Sequence, residues 1–221
     1  MKYKGIFFDF DYTLGDATEA IVAGFLYGMH TMGYEIMPTR EEIRGTVGFV
    51  LEDGFTWLTG EHDEEKRTQF AKLYRSICTP AQIATAVLCE GCEELRAHLK
   101  DKGLKLAVVS SKPAHILDEI LKARNIYHYF DNVIGPDQVE KPKPDPAGIL
   151  RTLEITGLKK EEVLYCGDTL IDAEAGQRAG VDFCAVLNGI THAEAFEIFP
   201  YAHIAPDLPE LQAWLDREGR V

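Results

Sequence analysis

The chain has 221 residues, of which 46% are hydrophobic and 27% charged, a composition that excludes a disordered chain. Its 36 acidic and 23 basic residues give a net charge of -13, which argues against nucleic acid or an anionic membrane surface as a partner. No long apolar run lies near Met1, so we expect a cytoplasmic location. In that compartment the five cysteines are expected to be thiols rather than a disulfide framework.

Short apolar runs that end at polar or glycine residues recur along the chain and predict buried parallel strands. In chain order they cover residues 5–8, 104–109, 132–134, 163–166 and 183–187. Helical patterns lie between the later runs, over residues 92–102, 114–124, 146–156 and 171–179. This alternation predicts an α/β fold with a doubly wound parallel sheet.

Residues 16–88 interrupt the alternation. They contain two amphipathic helical patterns, over residues 39–58 and 64–77, and no convincing strand. We therefore predict a core domain of residues 1–15 and 89–221, with an all-helical domain of residues 16–88 inserted after the first strand. Trp57 and Phe55 are expected to lie in the hydrophobic core of the inserted domain rather than in a substrate pocket.

Polar side chains follow several of the predicted strands. They are Asp9, Asp11, Ser110, Ser111, Lys112, Asp168 and Asp172. In a parallel sheet, ligands bind in the crevice outside the carboxyl ends of the strands, so we expect these residues to lie at one edge of the sheet. A single aspartate at such a position is more commonly a helix cap, but the convergence of several favours a functional site.

The spacing of Asp9 and Asp11 brings two anions close together, and anions so placed repel each other. The pair is tolerable if a divalent cation lies between the carboxylates, or if one carboxyl keeps its proton and serves as an acid. Asp168 and Asp172 would enlarge the negative cluster and strengthen the first alternative. Because all the candidate ligands are oxygens, the expected cation is Mg²⁺.

An acidic protein that handles phosphate must gather positive charge locally. The hydroxyl of Ser110, together with the N–H groups at the start of the following helix, would form an anion site. Lys141, in the proline-rich loop Lys-Pro-Lys-Pro, is the lysine that we expect at the site, and Lys143 is its rival.

These motifs resemble those of the haloacid dehalogenase superfamily, in particular its phosphatases related to phosphoglycolate phosphatase. Residues 9–14, Ser110, Lys141 and residues 167–172 are similar to the four motifs of that family, in the family's order. The resemblance implies a Rossmann-like core, and it implies that the inserted helical domain is a cap of the family's first class. Such a cap would close over small substrates and exclude water.

The resemblance also implies a reaction. Asp9 would attack phosphorus and form an aspartyl-phosphate, and Asp11 would protonate the leaving alkoxide and then activate water. Ser110 and Lys141 would hold the phosphoryl oxygens, where stabilisation of charge contributes most to catalysis. The substrate would be a small phosphorylated metabolite, such as phosphoglycolate, and the protein a monomer or a homodimer.

The family's metal ligands can be assigned to matching residues. Mg²⁺ would bind the carboxylates of Asp9 and Asp168 and the backbone carbonyl of Asp11, with Asp172 assisting directly or through water. All four residues are therefore candidate metal ligands.

Three further residues are candidates for contact with the substrate. Tyr12 stands where the family usually has glycine, and Ser111 where it has asparagine or glycine. In the predicted cap, Arg44 would suit a substrate carboxylate, although a solvated helix face is the commoner role of such an arginine.

Other functions compete with a phosphatase. A dehalogenase of this family lacks the acid/base aspartate that Asp11 supplies here. A phosphomutase of the β-phosphoglucomutase type uses the same four motifs, and a phosphate-binding regulatory protein without activity is a further alternative. Cys89 and Cys92 have the spacing of a redox motif, but the surrounding sequence is not thioredoxin-like.

Overall fold

The computed structural model of the protein describes residues 2–221 and divides the chain into two compact units. The first unit takes the described chain up to Asp16 together with Leu88–Val221, and the second is Ala17–Val87. Each boundary lies one residue from the predicted one.

The first unit contains a six-stranded parallel sheet. In chain order the strands of the described chain are β1 Gly5–Phe8, β2 Gly15–Asp16, β3 Val87–Leu88, β4 Lys105–Val109, β5 Asn132–Ile134, β6 Val163–Gly167, β7 Asp182–Val186 and β8 His203–Ala205. The six-stranded sheet has the order β5-β4-β1-β6-β7-β8, and β2 pairs with β3 in a separate sheet. All five pairs of neighbouring strands in the large sheet are parallel. The predicted doubly wound α/β fold is confirmed.

Helices flank the sheet and build the second unit. Within residues 2–221 they are α1 Thr18–Thr31, α2 Arg40–Arg44, α3 Leu51–Thr59, α4 Glu64–Thr85, α5 Cys92–Asp101, α6 Ala114–Ala123, α7 Ala147–Thr156, α8 Leu170–Ala179 and α9 Leu208–Arg217. Short 3₁₀ turns occur at Tyr127–Tyr129, Pro136–Gln138, Lys160–Glu162 and Ala193–Ile198.

Strand β1 is central to the sheet and wholly buried. Its last residue, Phe8, pairs with Val108 of β4 on one side and with Cys166 of β6 on the other. A strand covered on both faces by helices must be apolar throughout, as this one is. The next residue, Asp9, therefore lies between the carboxyl ends of two neighbouring strands.

The second unit is a helical bundle whose core is aromatic. Phe70 of α4 stacks on Phe55 of α3 at 4.2 Å between ring centroids and tilts against Phe25 of α1 at 5.2 Å. A Cβ atom at Gly28 of α1 would lie 2.9 Å from the Phe70 ring, so glycine at this position allows α1 to approach α4 closely. Burial of large rings supplies most of the stabilisation of such a small bundle.

Two expectations for this unit are wrong. The helical pattern over residues 39–58 forms two helices, α2 and α3, because Gly48 between them takes a φ of 100° that no helix accommodates. Trp57 is 59% exposed rather than part of the core, whereas Phe55 is buried as expected. Beyond the predicted elements, the structure adds α1, β2, β3, β8 and α9. Strand β3, Val87–Leu88, lies within residues 16–88, where no strand was expected, and it pairs with β2.

The described residues also show whether a helix could cross a membrane and whether the cysteines form disulfides. None of the described helices is both long and apolar enough to cross a membrane. The five cysteines are free thiols. Burial is the main cause that raises the pKa of Cys89 and of Cys92 to about 12, which disfavours the thiolate that redox chemistry requires.

Candidate active site

Three buried aspartates meet at the carboxyl edge of the sheet. Asp9 follows β1, and its backbone N–H donates to the carbonyl of Cys166 at 2.8 Å. Asp168 follows β6, and Asp172 lies in the first turn of α8. One carboxylate oxygen from each of the three aspartates lies within 4.8 Å of the others. The expected convergence of these residues is therefore present.

The lysine of this cluster is Lys143, not Lys141. The Lys143 ammonium lies 3.0 Å from Asp9 Oδ1 and 2.6 Å from Asp172 Oδ1, and its side chain is buried. Lys141 is exposed, because the loop enters the protein interior only after Pro142. The prediction that Lys141 is the lysine of the site is therefore wrong, and Lys143 takes that position. Burial disfavours a charged Lys143, but the charges of Asp172 and Asp9 outweigh that effect and raise its pKa.

Tyr165, from the middle of β6, joins the same network. Its hydroxyl lies 2.8 Å from Asp172 Oδ1, 3.1 Å from Lys143 Nζ and 3.0 Å from the carbonyl oxygen of Val109. A phenol carries one proton, so it donates to one of the two acceptors at a time while accepting from Lys143. Tyr165 therefore orients both the lysine and the carboxylate from a rigid strand.

Asp172 is further held by the start of its own helix. Thr169 caps α8, and Asp172 Oδ2 accepts hydrogen bonds from the Thr169 hydroxyl at 2.6 Å and from its backbone N–H at 3.1 Å. This reciprocal arrangement is a capping box. The local sequence thus both starts the helix and aims the other oxygen of Asp172 at Lys143.

Asp168 provides a direct test of whether the cluster suits a metal ion. Its Oδ1 is buried and has no hydrogen-bond partner among the described residues. Burial raises its pKa well above the usual range, and the charges of Asp172 and Asp9 add to the rise. A divalent cation would satisfy this oxygen and offset the repulsion between the carboxylates. The all-oxygen donor set fits Mg²⁺.

The protonation of Asp9 reflects the same crowding. The pKa of Asp9 is raised to about 6, mainly because the carboxyl is buried and to a smaller extent because of the charges of Asp172 and Asp11. The Lys143 ammonium and a hydrogen bond from Ser110 oppose this rise. Near pH 7 the Asp9 carboxyl is therefore ionised in most molecules.

Asp11 lies apart from the three-carboxylate cluster and has a lysine of its own. Its Oδ1 accepts a hydrogen bond from Lys112 Nζ at 2.9 Å, and both side chains are largely buried. The Lys112 ammonium also lies 5.4 Å from the centre of the Phe10 ring. The expected role of Asp11 at the metal, through its backbone carbonyl, stays a prediction.

Ser110 lies beside Asp9 as expected, but the neighbouring helix start is partly occupied. The Ser110 hydroxyl accepts from the backbone N–H of Lys112 at 3.3 Å. The N–H of Ala114, at the start of α6, donates to Asp137 Oδ1 at 2.8 Å. That N–H therefore has a partner within the protein and is not available to an anion. The groups that could form the expected anion site are the Ser110 hydroxyl and the loop before the helix.

The turn after Asp11 has a tyrosine, Tyr12, in a backbone conformation that glycine adopts most easily. Tyr12 is buried and has a φ of 57°, a left-handed conformation that costs energy for a bulky residue. A Cβ atom at Gly189 would lie 3.3 Å from Tyr12 Cβ and 2.2 Å from Asp168 Oδ2. Glycine at 189 thus leaves room for both side chains.

Two other substrate candidates stay predictions. Ser111 is half-buried and directly follows Ser110. Arg44 lies on α2 of the helical unit, where its guanidinium pairs with Glu41 at 2.9 Å.

Comparison with known proteins fits this geometry. The family model for haloacid dehalogenase-like hydrolases matches residues 6–186, which include every element that carries a residue of the cluster. The chain belongs to this family.

Relatives of this haloacid dehalogenase-like hydrolase cover nearly its whole length. A pyrophosphatase, PpaX, from Bacillus cereus is 32% identical over 200 residues, which are 89% of this chain and 90% of that one. The PpaX of Bacillus thuringiensis is 31% identical over the same length. A solved structure from Bacteroides fragilis, described as a haloacid dehalogenase-like hydrolase, has a TM-score of 0.91 at 34% identity and covers 95% of this chain and 100% of that one.

The sequence alone indicates no role for two members of the site in this haloacid dehalogenase-like hydrolase. Lys112 follows a predicted strand without a pattern that indicates its function, and Tyr165 belongs to an apolar run that indicates only a buried strand. A signal existed for Tyr165, because it carries the only strong hydrogen-bonding side chain in β6, Val-Leu-Tyr-Cys-Gly.

Proposed function

We propose that this hydrolase is a magnesium-dependent phosphatase of small phosphorylated molecules, with Asp9 as the nucleophile. One observation carries the proposal. Asp9 is a buried carboxylate with a lysine ammonium 3.0 Å from its Oδ1, in a cluster that also contains the partnerless Asp168 oxygen. Such a site has a nucleophile, a fixed positive charge for phosphoryl oxygens and donors for a cation.

The proposed reaction has two steps. In the first, a carboxylate oxygen of Asp9 forms a bond to phosphorus, the bond from phosphorus to the leaving oxygen breaks, and Asp11 gives that oxygen a proton. In the second, Asp11 takes a proton from water, the water oxygen attacks phosphorus, and the bond to Asp9 breaks to release phosphate. The two displacements replace one that is harder.

The residues around Asp9 would hold the phosphoryl group during both steps. Lys143 supplies positive charge, and Ser110 supplies a hydroxyl hydrogen bond. Mg²⁺, held by Asp9 and Asp168 with Asp172 beside them, would neutralise charge on the phosphoryl oxygens when bound. Tyr165 and Thr169 keep Asp172 and Lys143 oriented.

The choice of substrate rests on the relatives. Because proteins about one third identical over most of the chain are pyrophosphatases, inorganic pyrophosphate is the first substrate to test. 2-Phosphoglycolate is the second, in keeping with the family resemblance of the motifs.

The test measures phosphate release from pyrophosphate, 2-phosphoglycolate and a panel of phosphorylated metabolites, with Mg²⁺ and after its removal by a chelator. We expect Asp9→Asn to lower kcat by at least about a thousandfold, and removal of Mg²⁺ to abolish activity. The exposed Asp101→Asn is the matched control and should keep full activity. Equal rates in wild type and Asp9→Asn would contradict the proposal, and isomerised sugar phosphate instead of free phosphate would indicate a phosphomutase.

A further inference from the structure

A second lysine lies at the site on the side of the proton donor. Lys112 Nζ lies 2.9 Å from Asp11 Oδ1, whereas Lys143 serves Asp9 and Asp172. The exposed fractions of the Lys112 and Asp11 side chains are 8% and 11%, against 4% for Lys143 and 0% for Asp172. The Lys112 pair is therefore closer to solvent than the rest of the cluster.

Because Lys112 contacts Asp11, it would lie near the leaving group of the substrate. A proton donor must come within about 2.6–3.2 Å of the atom that it protonates. Since Asp11 is the proposed donor to the leaving oxygen, the Lys112 ammonium would lie within roughly 6–8 Å of that oxygen. A negatively charged group attached next to the leaving oxygen can span this distance.

The electrostatics favour an anion at this position. The chain as a whole has a net charge of -13, which repels anionic substrates, so a positive charge near the site is needed to attract them. A lysine beside the leaving oxygen offers a local attraction to a second negative charge on the substrate. Neutral alcohols as leaving groups would gain nothing from it.

We propose that Lys112 binds an anionic group on the leaving portion of the substrate and so selects substrates with a second negative charge beside the leaving oxygen. Inorganic pyrophosphate, with a phosphate as leaving group, and 2-phosphoglycolate, with a carboxylate, both have this chemistry. The inference rests on the proposed phosphatase function and adds to it a residue that determines specificity.

The experiment compares kcat/KM for pyrophosphate, 2-phosphoglycolate and glycerol 1-phosphate. The last has a neutral leaving group that needs the same proton from Asp11, so it separates the charge of Lys112 from proton transfer. We expect Lys112→Met to lower kcat/KM for the two anionic substrates roughly ten- to a hundredfold more than for glycerol 1-phosphate. Lys112→Arg, which keeps the charge, should retain most of the preference.

The control is Lys122→Met, which removes the same charge from the exposed end of α6 and should change no substrate's rate more than about twofold. Rates are compared within one preparation, so a variant that folds partially still reports the ratio. A loss confined to pyrophosphate would identify the bound group as a phosphate, and a loss confined to 2-phosphoglycolate as a carboxylate. An equal fall for all three substrates would show that Lys112 only supports Asp11, and would overturn the inference.

Inhibition gives a second readout that requires no turnover of the probe. Imidodiphosphate, a non-hydrolysable analogue of pyrophosphate, should inhibit the hydrolysis of glycerol 1-phosphate about tenfold less strongly in Lys112→Met, while inhibition by orthophosphate changes less. Unchanged imidodiphosphate inhibition would overturn the inference. The proposed function would fail separately, if wild type and Asp9→Asn had equal activity on every substrate.

Discussion

At the amino end of the sheet, lysines and aspartates pair at the protein surface, whereas at the carboxyl end they pair in the interior. Lys105 Nζ lies 2.8 Å from Asp131 Oδ1, with the lysine half exposed. Lys143 Nζ lies 2.6 Å from Asp172 Oδ1, with both side chains buried. The two pairs have similar geometry, and their surroundings differ.

The difference separates charges kept for stability from charges kept for chemistry. Surface ion pairs contribute between 0 and about 1 kcal/mol, and burying a pair can cost more than its attraction returns. An apolar core at the carboxyl end would hold the fold as well or better. Its buried charges are therefore best explained by function.

Among variants of these ion pairs, Lys143→Met should have the largest effect. Removal of the ammonium leaves Asp9 and Asp172 without their cation, so we expect a loss of about 3 kcal/mol of unfolding free energy and at least a hundredfold fall in kcat. Urea unfolding and steady-state kinetics measure the two effects.

The matched control for Lys143 is Lys141→Met, in the same loop but exposed. We expect its kcat to stay within about twofold of wild type. A large fall for Lys141→Met, with Lys143→Met active, would restore the assignment that sequence alone favoured.

Tyr165→Phe should have an intermediate effect. The variant removes the hydroxyl that contacts Lys143 and Asp172, and Asp172 then lacks a buried hydrogen bond, which costs about 1–3 kcal/mol of stability. Because the lysine and carboxylate lose orientation, we expect kcat to fall about tenfold with little change in KM.

Tyr3→Phe is the control at the amino end, since the buried Tyr3 hydroxyl donates to Asp182 Oδ2 at 2.7 Å. It should lower stability by a similar amount and leave kcat unchanged. If both variants lost stability and neither lost activity, Tyr165 would have a structural role alone.

Asp131→Asn should have the smallest effect. Partial burial disfavours ionisation of Asp131, but hydrogen bonds from Lys105 and Lys100 outweigh it and hold the pKa below the usual value. Because the folded pKa is the lower one, the pair stabilises the protein above the unfolded pKa, and this contribution disappears as pH falls through the folded pKa.

We therefore expect Asp131→Asn to lose at most about 1 kcal/mol at pH 7 and progressively less below about pH 4, with unchanged kcat. Thermal unfolding at several pH values measures this. A loss that grew as the pH fell would contradict the assigned pKa direction.

Much of the core and the carboxylates of the site could be predicted from the sequence. The apolar run that forms β1 must be buried on both faces, and a buried parallel strand delivers the next residue, Asp9, to the carboxyl edge. The same reasoning applies to Asp168 after β6. These positions depend on local patterns of a few residues, which the sequence displays directly.

Contacts between distant segments were decided by the tertiary structure alone. Lys141 and Lys143 lie two residues apart in one proline-rich loop, and nothing in the sequence shows which one enters the interior. Tyr165 looks like any buried strand residue until its hydroxyl is seen beside Lys143. The physical reason is that hydrogen bonds act over about 3 Å, so the partner of each charge depends on side-chain positions that only the packed fold determines.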